Sequence, residues 1–420
     1  MYSRRRERSF PSSLDRDATL YESPGVQHQI SRLPAAPPST IPHAFRQMNS
    51  IVIRRVFSGS DRRRFIKFPW QIYEGNPAWV PPLLMDRRKL MDKKKNPFYT
   101  HADAEFFLAY RNKEIVGRIG AIVNHNHNKE HRENIGFFGF FESVNDQEVA
   151  NKLLETAKNW LKERGVTAMR GPASPSVNDE YGLLVEGFDL PPAVLMPYNP
   201  PYYQALIEHA GLTKVKVLYA YHVHKDKVYS DKLVRVSEMV KRREGLSFRI
   251  LDMKNFKREV ALIRDLYNRA WQYNWGAVPM TDAEFDALAK DLKPVVVPEL
   301  VIIAEYKGEP IGFSLSLPDL NIALKHNRNG YLLPGLYCLL RYKKSIGATR
   351  IIVLGVVREH QMTGAASVLL YETAKRSVEK GYDEGEAGWI LEDNTMMNRA
   401  AELLKAERIK TYRIYETSLV

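Results

Sequence analysis

The sequence predicts an α/β (α+β) protein in which a mixed sheet flanked by helices is built twice. Its length of 420 residues exceeds what one ordinary hydrophobic core needs and indicates about two domains. The same order of elements, a strand pair, a single strand and an amphipathic helix, occurs in residues 105–164 and again in residues 300–380. Alternating strands and helices with short connections are typical of such folds. We therefore predict two tandem α/β domains of one architecture.

The first copy opens with a predicted strand over residues 50–56. Residues 105–124 predict two strands joined by a turn at 111–114, and residues 135–142 predict another strand. Apolar side chains then recur at helical spacing from 146 to 164, which predicts the helix that covers this sheet.

The second copy repeats this order with its own turn residues. Residues 300–317 predict a strand pair that turns at 307–310, and residues 350–357 predict the strand that follows. The matching helix is predicted over 364–380, and a later helix over 396–404.

These patterns predict four segments along the chain. Residues 1–47 are rich in proline, serine and arginine and lack apolar periodicity, so they are expected to be a disordered basic N-terminal extension. Residues 48–226 are predicted to form a degenerate first domain, 227–246 a basic linker, and 247–420 the second domain.

Charge and cysteine content limit the functional classes. The net charge of +13 favours a polyanionic partner, although no nucleic-acid-binding motif accompanies it and no nucleic-acid partner is expected. One cysteine excludes an internal disulfide framework. No stretch reaches the roughly 20 apolar residues of a membrane span, and the N-terminus does not resemble a secretory signal, so we expect a cytoplasmic protein.

Three histidines, His125, His127 and His131, fall within seven residues of one another. Without acidic or cysteine partners at a known spacing they do not predict a metal site. We expect a solvated hairpin loop here, and no metal.

The most informative run extends from Ile351 to Leu370. An apolar strand ends, a short turn follows, and a helix begins at a cluster of small residues around Gly364 and Ala366. Free backbone N–H groups and the positive end of the dipole make a helix start a phosphate-binding position. A tight turn that binds nothing would have the same glycine spacing.

This run resembles the signature of the GNAT acyltransferases. A valine at the strand end, four residues, Gln or Arg, two residues, Gly, one residue, and Gly or Ala are matched by Val356, Gln361, Gly364 and Ala366. The resemblance implies that the strand end pairs with the pantetheine arm of acyl-CoA, a co-substrate, and that the loop holds its pyrophosphate. The residues so implied are Val356, Val357, Gln361, Met362, Thr363, Gly364, Ala365, Ala366 and Ser367.

The elements that follow also resemble the closing half of that fold. The resemblance implies a CoA contact for Asn394 or Asn398, and a tyrosine that protonates the leaving thiolate, either Tyr412 or Tyr415. Glu392 is the candidate general base for the attacking amine. Helix capping by the asparagines, strand packing by the tyrosines and an exposed structural glutamate are the alternatives.

The first half keeps the order of elements without the glycine loop, and we infer that it does not bind CoA. Two polar loops in it, 171–182 and 197–203, predict either structured turns or a wall that faces the substrate. The candidate substrate residues are Asn178, Glu180, Tyr198, Asn199 and Tyr203.

The region from Met48 to Glu416 resembles bacterial tandem GNAT-like acyl-CoA N-acyltransferases, some of which are linked to ceramide synthesis. The resemblance implies transfer of an acyl group from CoA to a primary amine, including a lipid amine of the sphingoid type. The alternatives are a non-catalytic acyl-CoA-binding protein and an aminoacyl-tRNA-dependent transferase.

An insert over residues 319–346 separates two strands that such domains join closely. Its apolar run, 330–340, has basic residues on both sides. This pattern fits shallow insertion at an anionic interface, which would place the protein at the periphery of the inner membrane. The alternatives are a lid over a long acyl chain, and packing inside the domain or against the first domain.

Overall fold

Thirteen strands of this protein form one long mixed sheet that passes through both halves of the chain, and the strands Ala173–Ser174 and Glu180–Tyr181 form a separate two-stranded sheet. The structure, a computed structural model, describes residues 50–228, 231–242 and 245–420. The predicted N-terminal extension, 1–47, lies outside these residues. Fifteen described strands are, in chain order, β1 Ile51–Arg55, β2 Ala102–Arg111, β3 Glu114–Asn124, β4 Ile135–Ser143, β5 Ala168–Gly171, β6 Ala173–Ser174, β7 Glu180–Tyr181, β8 Leu183–Glu186, β9 Thr213–His224, β10 Leu246–Ile250, β11 Val301–Tyr306, β12 Glu309–Pro318, β13 Ala348–Val356, β14 Glu384–Leu391 and β15 Glu407–Ser418.

Helices cover both faces of this sheet. In the described part of the chain they are α1 Gly59–Lys67, α2 Pro69–Ile72, α3 Leu84–Leu90, α4 His125–His131, α5 Gln147–Lys162, α6 Tyr203–His209, α7 Lys225–Val228, α8 Asp231–Lys241, α9 Phe256–Trp271, α10 Asp282–Leu292, α11 Asn321–Leu324, α12 Leu332–Arg341, α13 Ala365–Glu379 and α14 Thr395–Leu403. Short 3₁₀ turns lie at 97–100, 253–255, 298–300, 343–345 and 358–363.

The strand order shows that the two halves exchange their last strands. The sheet runs β1-β2-β3-β4-β5-β15-β9-β14-β13-β12-β11-β10, with β8 also paired to β15. The final strand of the chain, β15, therefore lies beside β5 of the first half, and β9 lies beside β14 of the second half. Since β9 and β15 also pair with each other, neither half completes its sheet alone.

The core follows the apolar periodicity of the sequence. Helix α5 buries Val149, Leu153, Leu154, Ala157 and Leu161, the residues at helical spacing, against the first half of the sheet. Helix α13 buries Val368 and Leu369 on the second half. The alternating strand positions of both halves supply the other side of each core.

The strand pairs, the single strands and both covering helices lie where the sequence predicted them. The predicted division into 48–226 and 247–420 stays an interpretation of element order, because strand pairing crosses between the halves. The segment predicted as a linker, 227–246, contains α8, whose Leu233 packs into the second core.

The prediction of a solvated hairpin loop at the three histidines is wrong. They lie on α4, where His127 is 1% exposed and its Nε2 lies 3.0 Å from Glu133 Oε2. Burial lowers the pKa of His127 to about 4, so the ring is neutral at physiological pH. His131 Nε2 lies 2.8 Å from the carbonyl oxygen of Ala277 in the second half.

Candidate active site

The sheet opens between β13 and β14. These parallel strands pair only where Ala348–Ile351 of β13 lies beside Glu384–Ala387 of β14, whereas β13 continues to Val356. Residues 353–356 pair with β12 on one side, and no described strand pairs with their other side. An extended ligand can therefore form backbone hydrogen bonds along this free edge.

A tight turn leads from the end of β13 into α13. Residues 358–363 form a 3₁₀ turn, and Gly364, with φ of +86°, occupies the N-cap position of α13 without a side-chain cap. The Thr363 hydroxyl donates to the carbonyl of His360 at 2.6 Å, which fixes the turn. Only glycine adopts this φ readily, so the position needs Gly364. The Ala365 N–H donates to the Thr363 hydroxyl oxygen at 3.2 Å, and anion binding at the start of α13 stays a prediction.

The nine residues implied for CoA binding lie at the end of β13 and the start of α13, and they differ in how exposed they are. Val356 and Val357 are buried, and the Val357 N–H donates to the carbonyl of Ile311 at 2.8 Å. Met362 is exposed, and the side chains of Gln361 and Ser367 are half-buried at the mouth of the turn. Ala365 is buried and Thr363 and Ala366 are half-buried, which keeps this surface small and close to the backbone.

The equivalent helix of the first half is closed to an anion. The carboxylate of Asp146 accepts hydrogen bonds from the backbone N–H groups of Glu148 and Val149 at 2.9 and 3.3 Å. Asp146 also bonds Arg111 at 2.7 Å. The start of α5 thus has its donors occupied and carries a negative charge, both of which oppose phosphate binding.

The gap in the first half is also filled. Strands β4 and β5 pair only over three residues, 135–137 with 168–170. Strand β6 then occupies the opening, and its Ser174 hydroxyl accepts from the Phe140 N–H at 2.8 Å. The comparison of the halves therefore favours one CoA site, in the second half.

A buried polar cluster lies at the base of the open gap. Arg350 and Glu386 face each other in register on β13 and β14, next to the last paired residues. Glu386 Oε2 accepts from Lys410 Nζ at 2.8 Å, and both side chains are at least nine-tenths buried. The Arg350 guanidinium donates to the carbonyl oxygens of Val194 and Gly388 at 2.7 and 2.8 Å. This cluster contains charged groups that can move a proton and is shielded from water.

Four buried polar atoms of this cluster have no hydrogen-bond partner among the described residues. They are Glu386 Oε1, Arg350 Nε, Trp389 Nε1 and Tyr412 OH. Burial, reinforced by the Glu386 carboxylate, raises the pKa of Tyr412 well above its usual value, so its hydroxyl remains protonated. Because buried polar groups are rarely left unpaired, these four atoms make the cluster a candidate functional site.

The structure distinguishes Tyr412 from Tyr415, which the sequence left as alternative candidates for the proton donor. Tyr412 belongs to the cluster, with its ring centroid 6.4 Å from that of Trp389. Tyr415 lies in the core of the first half and donates from its hydroxyl to Glu208 at 2.9 Å. Of the two, only Tyr412 is brought to the gap.

The remaining candidates near the gap have structural partners. Glu392 is exposed and accepts from the Val217 N–H at 3.0 Å. Asn394 caps α14 by accepting from Met397 N–H. Asn398 donates to the carbonyl of Leu391 and accepts from the Tyr221 hydroxyl. Their roles in catalysis and CoA binding stay predictions.

The candidate substrate residues of the first half are spread over several places. Asn199 is buried and forms two hydrogen bonds with the backbone of Leu184, and Tyr203 is buried with its hydroxyl on Glu142. Glu180 forms an ion pair with Arg87. Tyr198 donates to the carbonyl of Phe188, and Asn178 bonds Tyr267 of the second half. Their role in substrate binding stays a prediction.

Asp319 borders the same cluster and gives it a titrating group. Its Oδ1 accepts from the N–H groups of Val194 and Asn321 at 2.9 and 3.2 Å. Burial raises the pKa of Asp319 to about 6, with the Glu386 carboxylate adding to the rise. Asp319 is therefore mostly ionised at neutral pH at a cost to the folded state.

We expect Asp319→Asn to stabilise the protein at neutral pH but not at acidic pH. Because the pKa is raised, the unfolding free energy falls as pH rises from about 4 to about 6, by on the order of 3 kcal/mol. Asparagine keeps the two accepted hydrogen bonds without this loss. Urea unfolding between pH 4 and 7.5 measures it; a stability difference that does not change with pH would contradict the assignment.

The comparisons with known proteins agree with this fold. Residues 71–174 match the Acetyltransferase (GNAT) family. The chain is 35% identical over 374 residues to Bacterial ceramide synthase of Caulobacter vibrioides (strain NA1000 / CB15N), covering 86% of this chain and 95% of that protein. It is 34% identical over 376 residues to Protein YghO of Escherichia coli (strain K12), covering 88% and 95%.

A solved structure shows the same tandem arrangement. It is described as a tandem GNAT protein from the clavulanic acid biosynthesis pathway, and it superposes with a TM-score of 0.51 at 11% sequence identity, covering 88% of this chain and 99% of that chain. Fold and relatives together define an acyltransferase. The chain belongs to the GNAT family and is an N-acyltransferase built from two GNAT-type halves. This assignment excludes the alternative of a non-catalytic acyl-CoA-binding protein.

The family match lies in the first half, while the loop that carried the sequence resemblance lies in the second. Members of this family use acyl-CoA as co-substrate and an amine as acceptor. The first half thus retains the family's fold after its helix start has been capped by Asp146 and its gap filled by β6.

Sequence reasoning missed the buried cluster. Arg350, Glu386 and Lys410 lie on three separate strands, and each looks in sequence like one polar position of an alternating strand. The available signal was alternation along the strand for Arg350 and Lys410, which lie two positions from the half-buried Ile352 and the buried Tyr412.

Proposed function

We propose that this protein transfers a long acyl group from CoA to the primary amine of a lipid. The open edge of β13 and the uncapped start of α13 support acyl-CoA binding in the second half. The observation that carries the acceptor assignment is the buried, unpartnered Glu386 Oε1 at the base of the same gap. An amine N–H can donate to this oxygen, whereas a hydrocarbon cannot.

In the proposed reaction the amine nitrogen attacks the thioester carbonyl carbon. Glu386 accepts the proton that the amine loses, and the Tyr412 hydroxyl gives a proton to the departing CoA thiolate. Return of the proton from Glu386 to Tyr412 restores both groups. The new C–N bond replaces the C–S bond, and the products are an amide and free CoA.

Two further features support lipid-like substrates. An apolar cavity lies between α13, α14 and the paired part of β13 and β14, lined among others by Ile351, Leu370 and Met397. Its lining is almost entirely apolar, as is the surface that part of a hydrocarbon chain would contact. The relative named Bacterial ceramide synthase gives independent support for an amine on a lipid.

Product analysis tests this proposal. The purified full-length chain is incubated with palmitoyl-CoA or acetyl-CoA and with either a long-chain sphingoid-type amine or a small water-soluble amine. With the long-chain pair we expect free thiol and an amide whose mass is that of the amine plus the acyl group less one hydrogen. Acylation of small amines alone, or thiol release without amide, would refute the lipid assignment.

The roles of the tyrosines can be separated by matched variants. We expect Tyr412→Phe to lower turnover about 10- to 100-fold with unchanged stability, since its hydroxyl has no described partner to lose. Tyr415→Phe removes the hydrogen bond to Glu208 and should keep turnover. Thiol-release rates and melting temperatures of both variants measure this. Equal turnover losses would argue against Tyr412 as proton donor.

A further inference from the structure

Helix α12 in the 319–346 insert presents an apolar surface outward. Leu333, Leu336, Tyr337 and Leu340 are 77%, 47%, 66% and 79% exposed. Their spacing of i, i+3, i+4 and i+7 places them on one stripe of the helix. Only Gly335 and Cys338 of this helix are buried. We call the four exposed residues the outer face of α12.

The outer face is held rigidly by the first half. Gly330, just before the helix, accepts from the Leu84 N–H at 2.8 Å. Trp70 Nε1 donates to the carbonyl of Arg328 at 2.8 Å, and Lys67 Nζ donates to that of Asn329 at 2.9 Å. These contacts fix the insert from its inner side, so the apolar stripe does not fold back into the protein.

Unneutralised basic residues surround this face. Lys325 and Arg328 precede the helix, and Arg341, Lys343 and Lys344 end or follow it. All five are exposed, and none forms a salt bridge within the described part of the chain. Such a face, apolar at its centre and positive at its edge, matches the interface of an anionic bilayer.

The length of α12 determines how it could meet a bilayer. Ten residues of helix extend about 15 Å, half the thickness of a hydrocarbon core. No helix in the described ranges is long and apolar enough to cross a membrane. A helix of this kind lies in the plane of the interface and inserts its apolar side chains.

We propose that the outer face of α12 docks the protein onto the surface of an anionic membrane. The insert also connects this face to the active site, because Asp319 at its start borders the buried cluster and Asn321 donates to the carbonyl of Pro192. A lipid amine would thus reach the gap directly from the bilayer. This link to the acceptor rests on the proposed function, whereas docking itself does not.

Vesicle flotation tests the docking without any substrate. The full-length protein is mixed with vesicles of phosphatidylcholine alone or with added phosphatidylglycerol. We expect flotation with the anionic vesicles and weakening at high salt. In Leu333→Asp/Leu340→Asp the bound fraction should fall at least about tenfold, because both side chains are exposed and carry no core packing.

Leu403→Asp is the matched control, since Leu403 is 43% exposed on another helix. It should float like the unaltered protein, and all variants should keep their melting temperature. Absence of flotation, or equal loss in both variants, would overturn the proposal. So would a dimer in light scattering that the double substitution dissociates, because the face would then bind a second copy.

The two proposals fail in distinguishable ways. Activity is measured separately, with the amine dispersed in detergent so that no bilayer is needed. Docking is wrong if flotation fails while this activity persists. If the anionic vesicles bind the protein and no amine is acylated, docking stands and the lipid acyl transfer is wrong.

Discussion

Ser367→Asp should abolish CoA binding and leave the fold intact. Ser367 is the third residue of α13, whose N-cap Gly364 provides no side-chain cap. An acidic side chain in a first turn favours the helix by about 0.3–1 kcal/mol, so the melting temperature should be unchanged or higher. The same charge would lie where the pyrophosphate approaches. We expect Kd for CoA to rise at least about a hundredfold, or about 2.7 kcal/mol.

Calorimetric titration with CoA measures this effect, and the first half offers its control. Asp146→Asn keeps a good N-cap on the equivalent helix α5 and should leave CoA affinity unchanged. Unchanged affinity in the Ser367 variant would refute the loop assignment. Lost affinity in the Asp146 variant would mean that the first half also binds CoA.

Ser367 is a better position for this test than Gly364. A side chain at Gly364 would adopt a positive φ of 86° and its Cβ would lie 3.0 Å from Val240 on α8. Loss of binding in a Gly364 variant could therefore result from local strain. The sequence identified the loop but not this contact, because α8 lies more than one hundred residues away along the chain.

Local sequence patterns predicted the helices and strands, but they did not predict which distant strands pair. The helix α5 and the strand pair β2–β3 follow from apolar spacing, which is a property of neighbouring residues. The exchange of β9 and β15 depends on which edges meet after folding, and no local pattern reports it. The short helix α4 was missed because its seven residues are almost all polar and show no apolar period.

The same distinction between local and long-range features applies to the candidate site. The loop before α13 has a contiguous spacing and was predicted. The pair formed by Glu386 and Lys410 joins strands that a helix separates along the chain, so only the structure shows it. Where two residues were equivalent in sequence, as with Tyr412 and Tyr415, the twist and register of β15 decide which reaches the gap.

Substitutions in the pair of Glu386 and Lys410 should affect the stability of the protein differently from its turnover. Glu386→Gln leaves the buried ammonium of Lys410 unpaired, and Lys410→Met leaves the carboxylate unpaired, so each should cost about 3–5 kcal/mol of unfolding free energy. The double variant has no buried charge at this pair and should recover most of that stability. Turnover should stay about 10²- to 10⁴-fold lower in every variant that lacks the Glu386 carboxylate, because the proton acceptor is missing.

This double-mutant cycle is measured by urea unfolding and by the rate of thiol release, for both single variants and the double variant. Glu416→Gln is the control, since it breaks the partly buried pair with Arg170 in the first half and should lower stability while turnover is kept. Recovery of turnover together with stability in the double variant would show that the Glu386–Lys410 pair only supports the fold. Recovery of stability alone would show that turnover needs the pair apart from its role in the fold, as expected if Glu386 accepts the amine proton.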